Sequence, residues 1–531
     1  MSEAAYLQEE SRTVNEPKMH PLLRRSFVFV PSAGMRLAPE ILVLEFMREI
    51  FFESHFGATG TKTLDPDETD EERRYCFTPS ERAVLYALRG RRKKTKASEI
   101  QRFFAPAYPV LARSAWLGKN RERVIKNLLL GGPIAQYLWH KGPDVADKKA
   151  KQDEIVNKIW QALLGNNSFF DETPKGKEIL AVALGRGAFS GAFGLSNDLP
   201  LPVEKLKEYT GDSESVMRIE HDELAHCITE DIISVCELEA ELPRMQWLQV
   251  LMTFLRFALP MWLLSQMRIT DLLHAWLLDA VDRSQVPSAA ALSRSISKRN
   301  RGLLSPTLTP TRELFERIES YMKRRIEVNV LLYCLENVRP EQLRGKRLGL
   351  SRSGSDTLGI EELLALARDA SSDIKAAEWF KRVASGLDIA TFLTREGEQF
   401  PGWRNPLMRG QGKNIDEFFR VLYRAQMGDE AGGYLLSPEG RGQGRGFRVF
   451  PGQLLLKTVT YLAARSKWAR NGRGGAGKLV LQDVEHRFAQ YGVDFSSAAD
   501  ARPLLMRELQ AMGLLTGSPD AGSSVAVACP Y

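Results

Sequence analysis

Residues 221–227, HDELAHC, gather the densest set of side chains that could hold a metal or move a proton: His221, Asp222, Glu223, His226 and Cys227. Glu223 and His226 stand three apart. On a helix that spacing sets a carboxylate and an imidazole on one face, as carboxylate-rich metal bundles require. Such a centre needs a second Glu-x-x-His, and the sequence has none. His221 and His226 are five apart rather than the four of the zinc-protease pattern. Two readings stay open: a metal-dependent enzyme using His221, Glu223, His226 and Cys227, or a solvated helix face that holds no metal.

Two glycine-rich stretches could cradle phosphate. Residues 472–478, GRGGAGK, fit G-x-x-x-x-G-K, but Leu479 stands where a hydroxyl should ligate magnesium, and a helix end rather than a buried strand precedes the loop. In residues 179–194, Gly185, Gly187 and Gly191 are spaced one residue wider than the dinucleotide fingerprint. Both read as loops and no cofactor is expected. His20, His55, His140, His274 and His486 sit singly, and no nucleophile–base pair can be assembled, so the chain does not declare an enzyme.

The charge pattern says more. The formal net charge is +7. Residues 81–125 carry 12 Lys/Arg against 3 Asp/Glu, and residues 441–531 carry 12 against 6, so the rest of the chain is acidic. Clustered positive charge is the footprint of a phosphate-binding surface, although an acidic protein would be attracted equally. In the first cluster Arg91, Arg92, Lys93, Lys94 and Lys96 are the candidate contacts. Five scattered cysteines form neither a disulfide framework nor a zinc set and fit a reducing cytoplasm. The polar N-terminus has no apolar stretch of the signal-peptide kind.

Helical periodicity dominates the elements that must position these groups. With 531 residues the chain exceeds a single core. It divides into an N-terminal strand and helix region with an acidic loop (1–75), a basic region of helix-turn-helix outline (76–145, the helices near 78–130), an all-α core (146–340), a small helical region with linkers (341–440) and a C-terminal module (441–531). The expected class is mainly α and multidomain. Residues 245–267 are long and apolar enough for a membrane span, but Arg256 in the middle argues against one, since a central charge costs about 2.5–3.5 kcal/mol. Two buried helices meeting near Pro260 are expected instead, with no membrane partner. A Ser/Pro-rich break at 283–310 carries Arg294, Lys298, Arg299 and Arg301, which either touch phosphate or keep a linker soluble.

The C-terminal module is the clearest piece. Apolar residues at Leu454, Leu455, Val459 and Leu462 mark one helix, and Leu481, Val484, Phe488 and Tyr491 mark a second that stops at Gly492. Ser496 or Ser497 is expected to cap a third helix with Leu504, Leu505, Leu509 and Met512 inward, followed by turn residues and a β-branched strand at 523–531. Three helices, then a turn and strand, resemble the winged helix-turn-helix superfamily. That resemblance implies a third helix in the major groove, offering Arg502, Arg507 and Gln510 to bases, with Arg465, Lys467, Arg470, Arg473 and Lys478 on the backbone. Asp500 and Glu508 flank the two arginines, and Asp520 lies in a wing without Lys or Arg, which suits backbone-dominated contact or protein docking.

The whole chain also resembles, in general style, accessory proteins of bacterial genome-defence cassettes. Together these readings anticipate a non-catalytic, cytoplasmic, double-stranded-DNA-binding subunit of a multiprotein antiviral defence system. The alternatives are a scaffold whose winged helix docks a partner, and the metal enzyme above.

Overall fold

The computed structural model describes residues 222–349, 357–376, 432–439, 446–471, 478–516 and 524–531, with positions within 12–22, 130–140, 151–162 and 415–424, and Leu42. The expected strand at 25–31, the acidic loop, the basic cluster at 81–125 with Arg91, Arg92, Lys93, Lys94 and Lys96, and the glycine-rich stretches at 179–194 and 472–477 fall outside the described residues, as do His221, Arg473 and the side chain of Arg470.

The described part is mainly helical, with short strands. Its helices are α1 (Ala135–His140), α2 (Glu223–Glu237), α3 (Arg244–Arg283), α4 (Ala289–Ser297), α5 (Glu313–Val338), α6 (Pro340–Leu343), α7 (Ile360–Asp369), α8 (Ser371–Ala376), α9 (Gln453–Asn471), α10 (Leu481–Gln490) and α11 (Ala501–Ala511). Two-residue strands β1 (Arg12–Thr13) and β2 (Glu16–Pro17) pair antiparallel. β3 (Arg347–Gly349) and β4 (Thr357–Gly359) pair in parallel. β5 (Leu436–Glu439) and β6 (Gly446–Val449) form an antiparallel hairpin, Leu436 opposite Val449 and Glu439 opposite Gly446. Sequence reading takes the segments around β3–β4 and β6 for irregular connections, because each strand is too short to show an alternating pattern.

The expected joint at Pro260 is absent: α3 runs unbroken through Pro260 for 40 residues. An interior proline costs about 3 kcal/mol in an isolated helix. Here Trp247, Leu251, Phe254, Leu255, Phe257, Ala258 and Met261 are all buried, and that apolar area outweighs the lost hydrogen bond. The helix is long and apolar enough to cross a membrane, but 89% of its most apolar stretch is buried within the protein, the situation of a core helix. Arg256 is buried with it. Its Nε donates to the Val421 carbonyl and one Nη to the Tyr423 carbonyl, each at 2.8 Å, so the charge is spent on fixing the turn at Arg420–Leu422. Burial with full hydrogen bonding is how an arginine survives in a core.

The core falls into two apolar clusters. The larger draws on α2, α3 up to Met267, the first half of α5 and the C-terminal helices α9, α10 and α11. The second takes α3 from Ile269 onward with α4, the second half of α5, α6, α7 and α8. The larger cluster crosses the sequence-based boundaries at 340 and 441, and the second crosses the one at 340, because helices remote in sequence finish one another's apolar faces. At the α2 N-terminus Asp222 accepts from the Ala225 N–H and pairs with Arg299 at 2.6 Å, both side chains essentially inaccessible. Arg299, expected in a linker facing phosphate or solvent, instead lies over the Trp262 ring, 5.4 Å from its centroid.

Near the N-terminus His20 and Leu22 reach the second cluster. The His20 N–H donates to Asn329 Oδ1 at 2.7 Å and its ring Nε2 meets Glu336 Oε2 at 2.7 Å. The hydrogen bond from His20 holds the Glu336 carboxyl below its ordinary value of 4.5. A depressed carboxyl contributes stability above that ordinary value and loses it as pH falls through the folded one. We therefore expect wild type to melt higher than Glu336→Gln at pH 5, with the gap closing as pH falls below 4.5; thermal melts of both across this range check it, and a constant gap contradicts it.

Candidate functional site

The C-terminal module follows the expected helix order with one change. On α9 the buried side chains Leu455, Leu456, Val459 and Leu462 face the core, and buried Thr458 and Thr460 return their hydroxyls to the carbonyls of Leu454 and Leu456. On α10 Leu481, Val484 and Phe488 are buried, and Phe488 and Tyr491 pack on Phe257 of α3. Leu504, Leu505 and Leu509 anchor α11. Ser496 and Ser497 do not cap it. They close a turn on Asp494, and α11 begins at Ala501 behind Asp500, whose side chain makes no cap bond. A serine can bond a nearby carboxylate or carbonyl as readily as a helix N–H, and Asp494 is the nearer partner.

Three short segments complete the module. Val480 bridges Ala526 and Leu515 bridges Val527, both antiparallel, so residues 525–527 lie between the segment leading into α10 and the segment leaving α11. The bonds Leu481 N–H to Val525, Val527 N–H to Leu479, Thr516 N–H to Ala526 and Ala528 N–H to Leu514 hold this ladder at 2.7–2.9 Å. The β-branched tail at 523–531 is thus used as expected, as a ladder only a few residues long.

Gly492 ends α10 at φ +95°, and a Cβ there would sit 2.4 Å from the Asn300 carbonyl oxygen. The loop from Asn300 to Leu304 is fastened at this point: Leu304 N–H bonds the Gly492 carbonyl at 2.9 Å, and Asn300 Nδ2 bonds the Gln490 carbonyl. Gly492→Ala should therefore cost more than the about 1 kcal/mol typical of a favourable glycine replacement reversed in sign, read as a lower midpoint in urea. An unchanged midpoint would contradict this packing.

Beneath α10 lies a buried polar cluster that sequence reasoning missed. Asp231 of α2 receives Arg487 Nη on one oxygen and the Tyr491 hydroxyl, at 2.6 Å, on the other. Arg487 also donates to Gln490 Oε1 at 2.7 Å. Burial raises the Asp231 carboxyl, while Arg487 and Tyr491 pull it back. Burial also works against the Arg487 charge, but the adjoining Asp231 outweighs it and holds the guanidinium protonated. A signal for Asp231 exists: it falls on the same helical stripe as the apolar residues Leu224, Cys227, Ile228 and Val235. Removing one partner of such a pair strands the other, which typically costs about 3–5 kcal/mol. Asp231→Asn should lose about that much, and Asp231→Leu combined with Arg487→Met should recover a large part of it, as measured by chemical unfolding.

The proposed metal ligands diverge. Cys227 points inward, its thiol 3.8 Å from Asp231 and from Gln490, and burial pushes its pKa well up. Glu223 and His226 are exposed on the other side of α2, where His226 pairs with Glu230 at 3.1 Å and stacks on Tyr137. Among the described residues no three His, Cys, Asp or Glu side chains converge as a metal site. A cleft of about 730 Å³ opens beside α2 and α9, with Arg487 and Asp231 in its wall. Its lysines are neutralised within it: Lys151 meets Glu154 at 2.7 Å, and Lys158 meets Glu154 and Glu237 at 3.3 and 3.6 Å.

The candidate DNA contacts of the module divide into two groups. Arg465 pairs with Glu237 of α2, and Lys467 binds both Asp483, at 2.7 Å, and the Lys478 carbonyl. These two fasten α9 to its neighbours. Asp483 meanwhile accepts from the Val480 N–H at the start of α10. The second group faces outward. Lys478, Arg502, Arg507 and Gln510 are exposed, and Arg507 retains 72% of its side-chain surface with only a 4.0 Å approach from Glu508. Arg502 is gripped by both oxygens of Glu485, at 2.6 and 2.7 Å, and this hydrogen bonding raises its pKa further. No protein-family model, curated protein or solved structure matches the chain.

Proposed function

We propose that this chain is a non-catalytic, double-stranded-DNA-binding subunit that holds the duplex chiefly by its phosphates. The observation that carries the reading is the outward face of α11, where Arg502, Arg507 and Gln510 are exposed together while Leu504, Leu505 and Leu509 anchor the opposite side. Three helices closed by a short antiparallel ladder support a winged helix-turn-helix module in which such a third helix enters the major groove. Lys478 adds an exposed cation at the start of the ladder. The basic sequence at 81–125 supplies further charge in the same chain. Work within a multiprotein bacterial defence system is part of the same proposal, supported by the general style of the sequence.

A second reading has an observation of its own. Arg465, Lys467 and Arg502 are each engaged by a carboxylate of the same chain, so the surface is closer to charge balance than the sequence suggests. A balanced surface suits protein docking, since phosphate binding depends on net positive charge.

One titration separates the two. Under the DNA reading, duplex affinity falls by orders of magnitude between about 50 and 200 mM salt, and the double reversal Arg502→Glu with Arg507→Glu abolishes it. Affinity indifferent to salt, or binding that survives the double reversal, favours docking. Fluorescence anisotropy on a random-sequence duplex gives both answers.

A further inference from the structure

The Arg502–Glu485 pair is more specific than a charge on a surface. Both carboxylate oxygens of Glu485 are used, one by Nε and one by Nη2 of Arg502. Glu485 itself is only 11% exposed, whereas Arg502 is 44% exposed, so the carboxylate lies inside and the guanidinium outside. A guanidinium carries five N–H donors in one plane. The fork to Glu485 consumes two of them along the Nε–Nη2 edge. One N–H of Nη1 and the second of Nη2 remain on the neighbouring Nη1–Nη2 edge, the other Nη1 N–H points away on the third edge, and no other described residue engages them. The Nη1–Nη2 edge matches guanine O6 and N7 in the major groove, the commonest base-specific contact an arginine makes.

We propose that Glu485 is a positioning residue that presents the free edge of Arg502 to a guanine, so that α11 reads one base as well as following the backbone. The inference rests on the DNA-binding reading above. It assigns different roles to the two arginines of α11. Arg507 is exposed and has no bidentate partner, and so serves as a mobile phosphate contact; Arg502 is held in a single plane. A long side chain that is already immobilised loses less rotamer freedom on binding than a free one. The carboxylate also discriminates: without a guanine to engage Arg502, it is a negative group close to the phosphates, which weakens attachment elsewhere.

The test uses the full-length chain and a pool of random-sequence duplexes. Wild type should enrich duplexes with guanine at one fixed position, and replacing that guanine by 7-deazaguanine, which lacks the N7 acceptor, should weaken binding about tenfold or more. Glu485→Gln should lose most of this discrimination while keeping the salt dependence of wild type. Arg502→Lys should lose it as well, because lysine cannot form the fork. An unchanged melting temperature shows that each variant is folded; if Glu485→Gln melts early, the Arg502→Lys arm carries the decision. Unaltered discrimination in Glu485→Gln or Arg502→Lys overturns the inference, as does tighter binding of the guanine-bearing duplex by Glu485→Gln, which would make Glu485 a mask; tighter binding confined to duplexes without that guanine is the expected loss of discrimination. Duplex binding by wild type with no guanine preference overturns the inference alone. No duplex binding by wild type overturns the DNA reading with it.

Discussion

Both apolar clusters are hung on α3. Forty residues at 1.5 Å each make a rod of about 60 Å, longer than one small core is wide. Its first part is buried in one apolar cluster and its last part in the other, with the change of partners between Met267 and Ile269. A rod of this kind tolerates a proline because its stability comes from neighbours on several sides rather than from its own ladder of hydrogen bonds. Its neighbours include α2, α5, α7, α8 and α9, so a shift in its axis would be felt in both clusters at once.

Charge plays a second part inside this frame. Arg256, Arg299 and Arg487 are buried, and each closes a junction between distant segments: α3 with the turn at Arg420–Leu422, the loop before α5 with the α2 N-terminus, and α10 with α2. Replacing buried ion pairs by apolar groups is often neutral for stability. What they supply is register, because a guanidinium with fixed acceptors accepts one arrangement where a greasy contact would accept several. Part of the positive charge counted in the sequence is therefore structural, and the charge free to meet a partner is smaller than composition implies.

The C-terminal helices could be read from the sequence because their apolar residues recur at helical spacing and Gly492 marks a stop that no other residue could occupy as easily. The start of α11 could not, since Ser496 and Ser497 offer the same chemistry to a cap and to a turn, and only the position of Asp494 decides. The continuity of α3 through Pro260 was hidden because a local rule was overridden by packing that the sequence does not display. The contacts that fasten the C-terminal module to α2 were hidden for a plainer reason: Arg487 meets Asp231 across 256 positions, and Arg465 meets Glu237 across 228. Arg502 and Glu485 are 17 apart and lie on different helices, so the spacing gave no hint of a pair.

The fastening of the loop from Asn300 to Leu304 onto the end of α10 bears on portability. The C-terminal module shares side chains with the central cluster, is stapled through Asn300 and Gly492, and sends Arg465 into a pair with α2. Cut away at residue 441, it would bare Leu455, Val459 and Phe488 to water, and the remainder would lose one wall of its core. Grafting this module onto another body would therefore require matching apolar partners there, and a load placed on α11 passes through Leu505 and Leu509 into the central cluster.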